Sequence, residues 1–148
     1  MLALFALQAQ EYTIHFDSLY SIHLQEQRQI EILFPEGYNL SSGDTYDIFY
    51  VLDGEWATSL SRTVLRFLGY AQFVPKDLII VSIPNRYNHT VNMRERDFTP
   101  TQIENYNISG GADNFLSFLK SELITSINLK YPVNTENKTL YGSSWGGL

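Results

Sequence analysis

The sequence predicts an α/β fold in which a mixed sheet is flanked by helices. Three observations carry this. An early pair of segments alternates apolar and polar residues with a period of two. Two later runs are apolar without interruption, as in strands covered on both faces. Helix-spaced apolar stripes alternate with those runs, the pattern of a layered sheet joined by crossover helices.

Taken in order, EYTIHFDSLY places Tyr12, Ile14 and Phe16 on one face of a first strand. RQIEILFPEGY places Ile30, Ile32 and Phe34 on one face of a second, which Pro35 stops and Gly37 turns. The two read as an antiparallel pair with one solvated face. YDIFYVLDG holds the run Ile48 to Leu52, a strand buried on both faces. TSLSRTVLRFLGY follows with Leu60, Val64, Leu65 and Leu68 at helical spacing and Gly69 as C-cap. DLIIVSIPN is a second buried strand. The polar stretch from Asn85 to Asp113 reads as a long loop, of a length that is usually functional or disordered. DNFLSFLKSELITSINLKY is a helix with Asp113 as N-cap and one apolar stripe that includes Phe115, Leu119, Leu123 and Ile127. Pro132 ends it, and NKTLYG is a third short strand.

The 148 residues suffice for one domain with a real core. With 44 % apolar residues, ten Tyr and nine Phe, the chain is globular rather than disordered. The formal charge of −6 and the scattered basic residues exclude a nucleic-acid footprint. The absence of cysteine excludes disulfides and thiolate chemistry. His15, His23 and His89 lie too far apart in sequence to suggest a metal site. Residues 1–9, MLALFALQA, are too short to span a bilayer and resemble the end of a secretory signal with cleavage after Ala9. The expectation is therefore a secreted or periplasmic protein in which residues 10–148 belong to one domain. A buried first strand or a loose terminus is the rival reading of the same residues, and the expectation would then be a cytoplasmic protein. Asn-x-Ser/Thr sequons at Asn39, Asn88, Asn107 and Asn137 are expected by chance in an Asn-rich chain and matter only where the host glycosylates.

The chemistry is concentrated in YGSSWGGL. Gly142-Ser143-Ser144-Trp145-Gly146 fits G-x-S-x-G in one register only, with Ser144 at its centre. A nucleophile held on a tight strand-to-helix turn takes a strained backbone, so side chains at both flanking positions would clash. The turn aims the hydroxyl outward and leaves the Trp145 N–H free for an oxyanion. The bland alternative is an ordinary Gly/Ser turn after a strand. The apolar strand that leads into the motif favours the nucleophile.

Several separated stretches then resemble one family in the right order. RQIEILFPEGY, YVLDGE, VSIPN, RERDFTP, GGADNFLSFLKSELI and YGSSWGGL resemble the esterase family of the α/β-hydrolase superfamily. Its members include enterochelin-type siderophore esterases, esterase-D-like formylglutathione hydrolases, and feruloyl and acetyl-xylan esterases. The resemblance covers roughly residues 12 to 148 and implies an α/β-hydrolase-type mixed sheet. It implies that Ser144 is the acyl-accepting nucleophile and that the backbone N–H of Glu55, after Asp53-Gly54, is the second oxyanion donor beside Trp145. It also implies that acid and histidine follow the serine in chain order, so that these residues form the N-terminal half of such an enzyme. Many relatives carry His where Ser143 stands, a change that touches local packing rather than the triad.

On the residues alone, Asp53-Gly54 is equally an ordinary turn. His89, in the long loop, is placed against the usual order for a base, and His15 and His23 read as surface or packing residues. Arg94, Arg96 and Asp97 either form a structural ion pair, since Asp97-Phe98-Thr99-Pro100 reads as a turn pinned by its own side chains, or line the substrate mouth. Trp56, Tyr87 and Trp145 either pack against an aromatic or glycosidic substrate or, for Trp145, belong to the core. The expected function is hydrolysis of a carboxylic ester on a siderophore, carbohydrate, or feruloyl or acetyl group. It needs no metal or organic cofactor, no nucleic acid and no stable membrane insertion. An acyltransferase on the same scaffold and a non-catalytic binding module are the alternatives, and the intact serine turn argues against the second.

Overall fold

The structure is a computed structural model that describes residues 12–74 and 78–148. The expected signal remnant, residues 1–9, lies outside the described residues. Seven strands are described: β1 Thr13–Ser21, β2 Glu26–Phe34, β3 Tyr46–Leu52, β4 Leu78–Ile83, β5 Tyr87–Asn88, β6 Val91–Asn92 and β7 Val133–Tyr141. The helices are α1 Gly54–Tyr70, α2 Arg94–Phe98, α3 Ala112–Ser117 and α4 Ile124–Lys130. A π-helical segment, Phe118–Leu123, joins α3 to α4, and a 3₁₀ turn covers Ser144–Gly147.

Five strands form a mixed α/β sheet in the order β1-β2-β4-β3-β7. β1 with β2 and β2 with β4 are antiparallel, and β3 runs parallel to both β4 and β7. The uninterrupted apolar runs are the inner parallel strands, as their two-sided burial requires. Alternation along them sorts the core onto two faces. Ile48, Tyr50, Ile79 and Val81 meet Phe115, Phe118, Leu123 and Ile127 of the α3–α4 layer. Val51, Ile80 and Leu33 meet Ala57 and Leu65 of α1 on the other side.

Several boundaries differ from the sequence expectation. α1 starts at Gly54 rather than near Thr58, and it runs through Gly69 to a cap at Ala71. The early start follows from Asp53, which turns the chain at φ 54° and ψ 44° straight into the helix. Gly54 permits this, because a Cβ there would overlap Ser82 Oγ and stand 3.0 Å from the Ile83 carbonyl carbon. Gly111, not Asp113, caps α3; Asp113 sits in the first turn, where its charge favours the helix dipole. The long polar stretch is not structureless, since it contains the β5–β6 hairpin and α2. β7 begins at Val133, ahead of the expected NKTLYG.

The face of β1 expected to be inward is largely outward. Ile14 is 44 % and Phe16 72 % exposed. β1 is the edge strand; Tyr12, just before it, packs against the core on the α1 side, and on the other face of β1 Leu19 packs against the core. That other face is tied to α4 by the ion pair of Asp17 Oδ2 with Lys130 Nζ at 2.6 Å. The Lys130 ammonium holds the Asp17 carboxyl below its ordinary value.

Candidate active site

The parallel pairing of β3 and β7 places two chain exits side by side. Their last pair is Val51 with Tyr141, so Asp53 and Gly142 leave the sheet at the same end of the strands. From the first exit the chain enters α1 through Asp53, Gly54 and Glu55. From the second it enters the 3₁₀ turn that begins at Ser144.

Ser144 has φ 57°, the left-handed region that a side-chain-bearing residue rarely adopts. Gly146 N–H donates to the Ser143 carbonyl at 3.0 Å and closes the turn. The crossing is so tight at Gly142 that a Cβ there would overlap the Gly146 carbonyl oxygen. Gly146 differs from expectation. A Cβ there would meet Asp53 Oδ2 at 3.4 Å and Phe98 Cε2 at 3.5 Å, ordinary contacts. Only the first of the two flanking glycines is sterically obligatory in this turn. Ser144 is exposed, and no hydrogen bond to its Oγ is formed among the described residues. Glu55 occupies the first turn of α1, where backbone N–H groups lack intrahelical acceptors.

A polar frame links the two exits. Arg94 Nε donates to Asp53 Oδ1 at 2.6 Å, and Nη2 donates to Asp53 Oδ2 at 3.0 Å. The same Nη2 donates to the Ser143 carbonyl at 3.0 Å. Asn85 Nδ2 donates to Asp53 Oδ1 at 2.8 Å and to Glu55 Oε1 at 2.7 Å, while its backbone N–H reaches Glu55 Oε2 at 3.1 Å. The Arg94 guanidinium lies over Phe98 and Trp145, 5.3 and 5.6 Å from the ring centroids. Its hydrogen bonds to Asp53 raise its pKa above the ordinary arginine value.

The expected grouping of Arg94, Arg96 and Asp97 is therefore divided. Arg94 belongs to the frame at the strand exits. Arg96 bonds Glu26 and Asp97, and Arg28 bonds Asp97 Oδ2 at 2.6 Å. Burial opposes the Arg96 charge, but Glu26 and Asp97 outweigh it and hold its pKa above the ordinary value. The turn Asp97-Phe98-Thr99-Pro100 is held by one of its own side chains: Thr99 Oγ1 donates to the Glu95 carbonyl and accepts from Gly110 N–H. Trp145 packs on the core and meets Tyr106 edge-on at 5.4 Å between centroids. Trp56 and Tyr87 are half exposed. His89 sits at φ 56° in the β5–β6 turn, exposed, while His15 lies on β1 and His23 bonds Ser121 on the π-helical segment. No group of metal-ligating side chains is found among the described residues. None of the described helices is long and apolar enough to cross a membrane.

Asn85 and the role of Asp53 as an acceptor were not legible in the sequence. Both lie one or two residues past the end of a buried strand, which is the one signal that could have marked them.

A family model described as "Putative esterase" matches residues 21–148. The chain belongs to that esterase family. A comparison with curated proteins returns no match. Among solved structures, the esterase chain superposes on an IroE-like serine hydrolase from Shewanella oneidensis with a TM-score of 0.76 and 34 % identity, covering 93 % of this chain and 44 % of that one. It superposes on the BES protein from Bacillus cereus with a TM-score of 0.74 and 26 % identity, covering 90 % of this chain and 52 % of that one. The siderophore hydrolase EstA from Aspergillus nidulans, at 20 % identity and a TM-score of 0.69 over 99 % of this chain and 53 % of that one, shares the fold. The esterase chain thus spans about half the length of the solved structures it matches. Its α/β-hydrolase-type sheet agrees with the fold expected from the sequence.

Proposed function

We propose that the protein is a serine carboxylic-ester hydrolase in which Ser144 carries the acyl group. Ser144 Oγ attacks the ester carbonyl and gives up its proton to a base. The carbonyl oxygen becomes an oxyanion, to which the backbone N–H groups of Glu55 and Trp145 donate. Collapse expels the alcohol, reprotonated by the same base, and leaves an acyl-serine. Water then attacks the acyl carbon and frees the acid and Ser144. No metal or organic cofactor enters this sequence of steps. The reading places the base and its orienting acid after the serine in chain order, as in the family.

The observation that carries this reading is the conformation of Ser144. A non-glycine residue at φ 57°, in a turn where Gly142 has no room for a Cβ, is local strain kept by the surrounding structure. Such strain clusters at functional positions. The substrate we propose is an ester of a siderophore or an aromatic acid, the classes named for the siderophore hydrolases and the ferulic acid esterase among its structural neighbours. The half-exposed rings of Trp56 and Tyr87, on the segments that follow β3 and β4, offer aromatic surface for such a group.

The test is labelling of the full-length protein with a fluorophosphonate probe, followed by peptide mapping. Label on Ser144, absent from Ser144→Ala, is the expected result. Undiminished labelling of Ser144→Ala would overturn the assignment.

A further inference from the structure

We propose that the outer face of α1 is the contact through which two copies of this protein pair about a two-fold axis. The pairing goes beyond the ester chemistry and does not depend on the role of Ser144.

α1 has two apolar faces. Ala57, Thr58, Ser61, Leu65 and Gly69 are buried, and Ala57 and Leu65 pack on the sheet. The far side of a surface helix is ordinarily polar. Here it carries Trp56, Leu60, Thr63, Phe67 and Tyr70, spaced 4, 3, 4 and 3 residues apart. That spacing makes one continuous stripe along a helix, the seam of a helix pair. All five residues are exposed, and none of them is charged.

The order of sizes along the stripe suits pairing with itself. Thr63, the small residue, stands at the centre, with Trp56 and Tyr70 seven residues to either side and Leu60 and Phe67 between. In an antiparallel pair that crosses at Thr63, the backbones approach closest where the side chain is small. Leu60 then lies across from the partner's Phe67, and Trp56 across from the partner's Tyr70. Such a contact uses the same patch on both copies, the commonest arrangement in oligomers. Thr63 Oγ1 already donates to the Ser59 carbonyl at 2.9 Å, so its hydroxyl stays partnered when water leaves. Beside the stripe, Arg66 comes opposite the partner's Ser59, and no like charges meet.

The size of the patch fits a second copy. Trp56, Phe67 and Tyr70 are 48 %, 67 % and 69 % exposed. At about 150–250 Å² for each fully buried ring, they present roughly 300–450 Å². With Leu60, Thr63 and Val64 the patch reaches roughly 500–700 Å², at or above the largest patch of a typical monomer. A standard interface buries about 800 Å² per partner, and its polar rim supplies the remainder. A bilayer is the other class of surface for such a stripe. Helices that lie on membranes carry many Lys or Arg residues for the anionic headgroups. α1 has Arg62 and Arg66 alone, in a chain of formal charge −6 that an anionic surface repels.

The stripe begins beside the ester site, because Trp56 follows Glu55, and runs away from it towards Tyr70. The experiment therefore uses its centre and far half. Full-length wild type, Thr63→Lys, Thr63→Glu and Phe67→Glu are compared by sedimentation equilibrium, with far-ultraviolet circular dichroism as the check on folding. The expected result is that wild type has the mass of two chains and each variant the mass of one, with unchanged spectra. An equimolar mixture of Thr63→Lys and Thr63→Glu regains the mass of two chains, since opposite charges then face each other across the axis. A variant that merely misfolds does not show this rescue. Wild type with the mass of one chain at all concentrations would overturn the proposal, because another segment of the full-length protein would then cover the stripe. A dimer that survives all three substitutions would overturn it by placing the interface elsewhere. So would folded single-chain Thr63 variants whose mixture does not pair. Single-chain wild type that sediments with phosphatidylglycerol vesicles, and ceases to do so in Phe67→Glu, would give the stripe to lipid instead.

Discussion

Gly142 and Gly146 close on each other so tightly that a Cβ on the first would overlap the carbonyl oxygen of the second. The relationship is one-sided, since a Cβ on Gly146 finds ordinary contacts with Asp53 and Phe98. Gly142→Ala should therefore cost about 1–3 kcal/mol as an overpacked site, whereas Gly146→Ala costs less. Urea unfolding of the two variants measures the difference. Gly142→Ala should also lose Ser144 labelling by a fluorophosphonate, because the turn must open to admit the methyl. Equal stability of the two variants would contradict the crossing described for the turn.

Ser144 stores strain that glycine would not. In the left-handed region a Cβ costs on the order of 1–2 kcal/mol, whereas glycine adopts it freely. Ser144→Gly should thus be more stable than Ser144→Ala by about 1 kcal/mol, after allowing for the larger unfolded-state entropy of glycine. Both variants should fail to label. A thermal or urea melt in which alanine proves the more stable would mean that Ser144 relaxes out of its φ in solution.

The fold was legible where residue pattern and environment agree. Ile48 to Leu52 and Leu78 to Ile83 read as doubly buried strands because their apolar runs admit no solvated face, and both are inner strands. Pattern held only in part for β1. Tyr12 packs against the core on the α1 side, whereas Ile14 and Phe16 are exposed, because alternation reports a face and not what covers it. The serine turn was legible as a spacing. The frame that holds it was not, because Asp53, Asn85, Arg94 and Ser143 meet only after four separate chain segments fold. Arg28 did carry a signal: it shares a strand face with Ile30 and Ile32, and a charge on an apolar face implies a partner.

That partner is Asp97. Arg28 is 1 % and Asp97 0 % exposed at the side chain, and Arg28 also donates to the Pro84 carbonyl. Removing the arginine leaves Asp97 with Arg96 alone and strands the Pro84 acceptor. Arg28→Ala should cost about 3–5 kcal/mol, the usual range for breaking a buried pair on one side. Chemical denaturation checks the value. A loss below about 1 kcal/mol, typical of exposed pairs, would show that the network is solvated.

Glu26 ties the same network to pH. Burial alone would raise its pKa, but Arg96 and Arg28 outweigh burial and hold it below the ordinary value of 4.5. A folded pKa below the unfolded one gives stability that is present in full above the unfolded value. It is lost as pH falls through the folded value. Stability should hold steady from neutral pH to about 5 and decline below 4.5. Asp17, lowered by Lys130, adds in the same direction, though its partner is half exposed and its share smaller. Denaturation midpoints of wild type and Glu26→Gln across this window are the measurement. The variant should start lower at pH 7 and show a shallower acid slope; parallel curves would remove Glu26 from the acid response.

Residues 12–148 expressed alone should self-associate. β7 stands at the end of the sheet order, with one edge unpaired among the described residues. Beside it α1 presents Leu60 and Val64, 55 % and 45 % exposed, over a groove of about 630 Å³ that Phe49, Leu65, Leu68 and Tyr141 also line. On the opposite face Leu140 is exposed as well. An unpaired strand edge offers backbone hydrogen bonds to another chain, and an adjoining apolar groove adds a reason to bury it. The sedimentation coefficient of this polypeptide should therefore rise with concentration. Replacing Leu60 and Val64 together by Glu should suppress the rise, since a charge beside the groove makes its burial costly. Neither substitution touches the β3–β7 pairing, so the circular dichroism spectrum should be retained. A monodisperse monomer at all concentrations would mean that the groove is closed in solution, and association that persists in the double variant would shift the cause to the exposed Ile14 and Phe16 of β1.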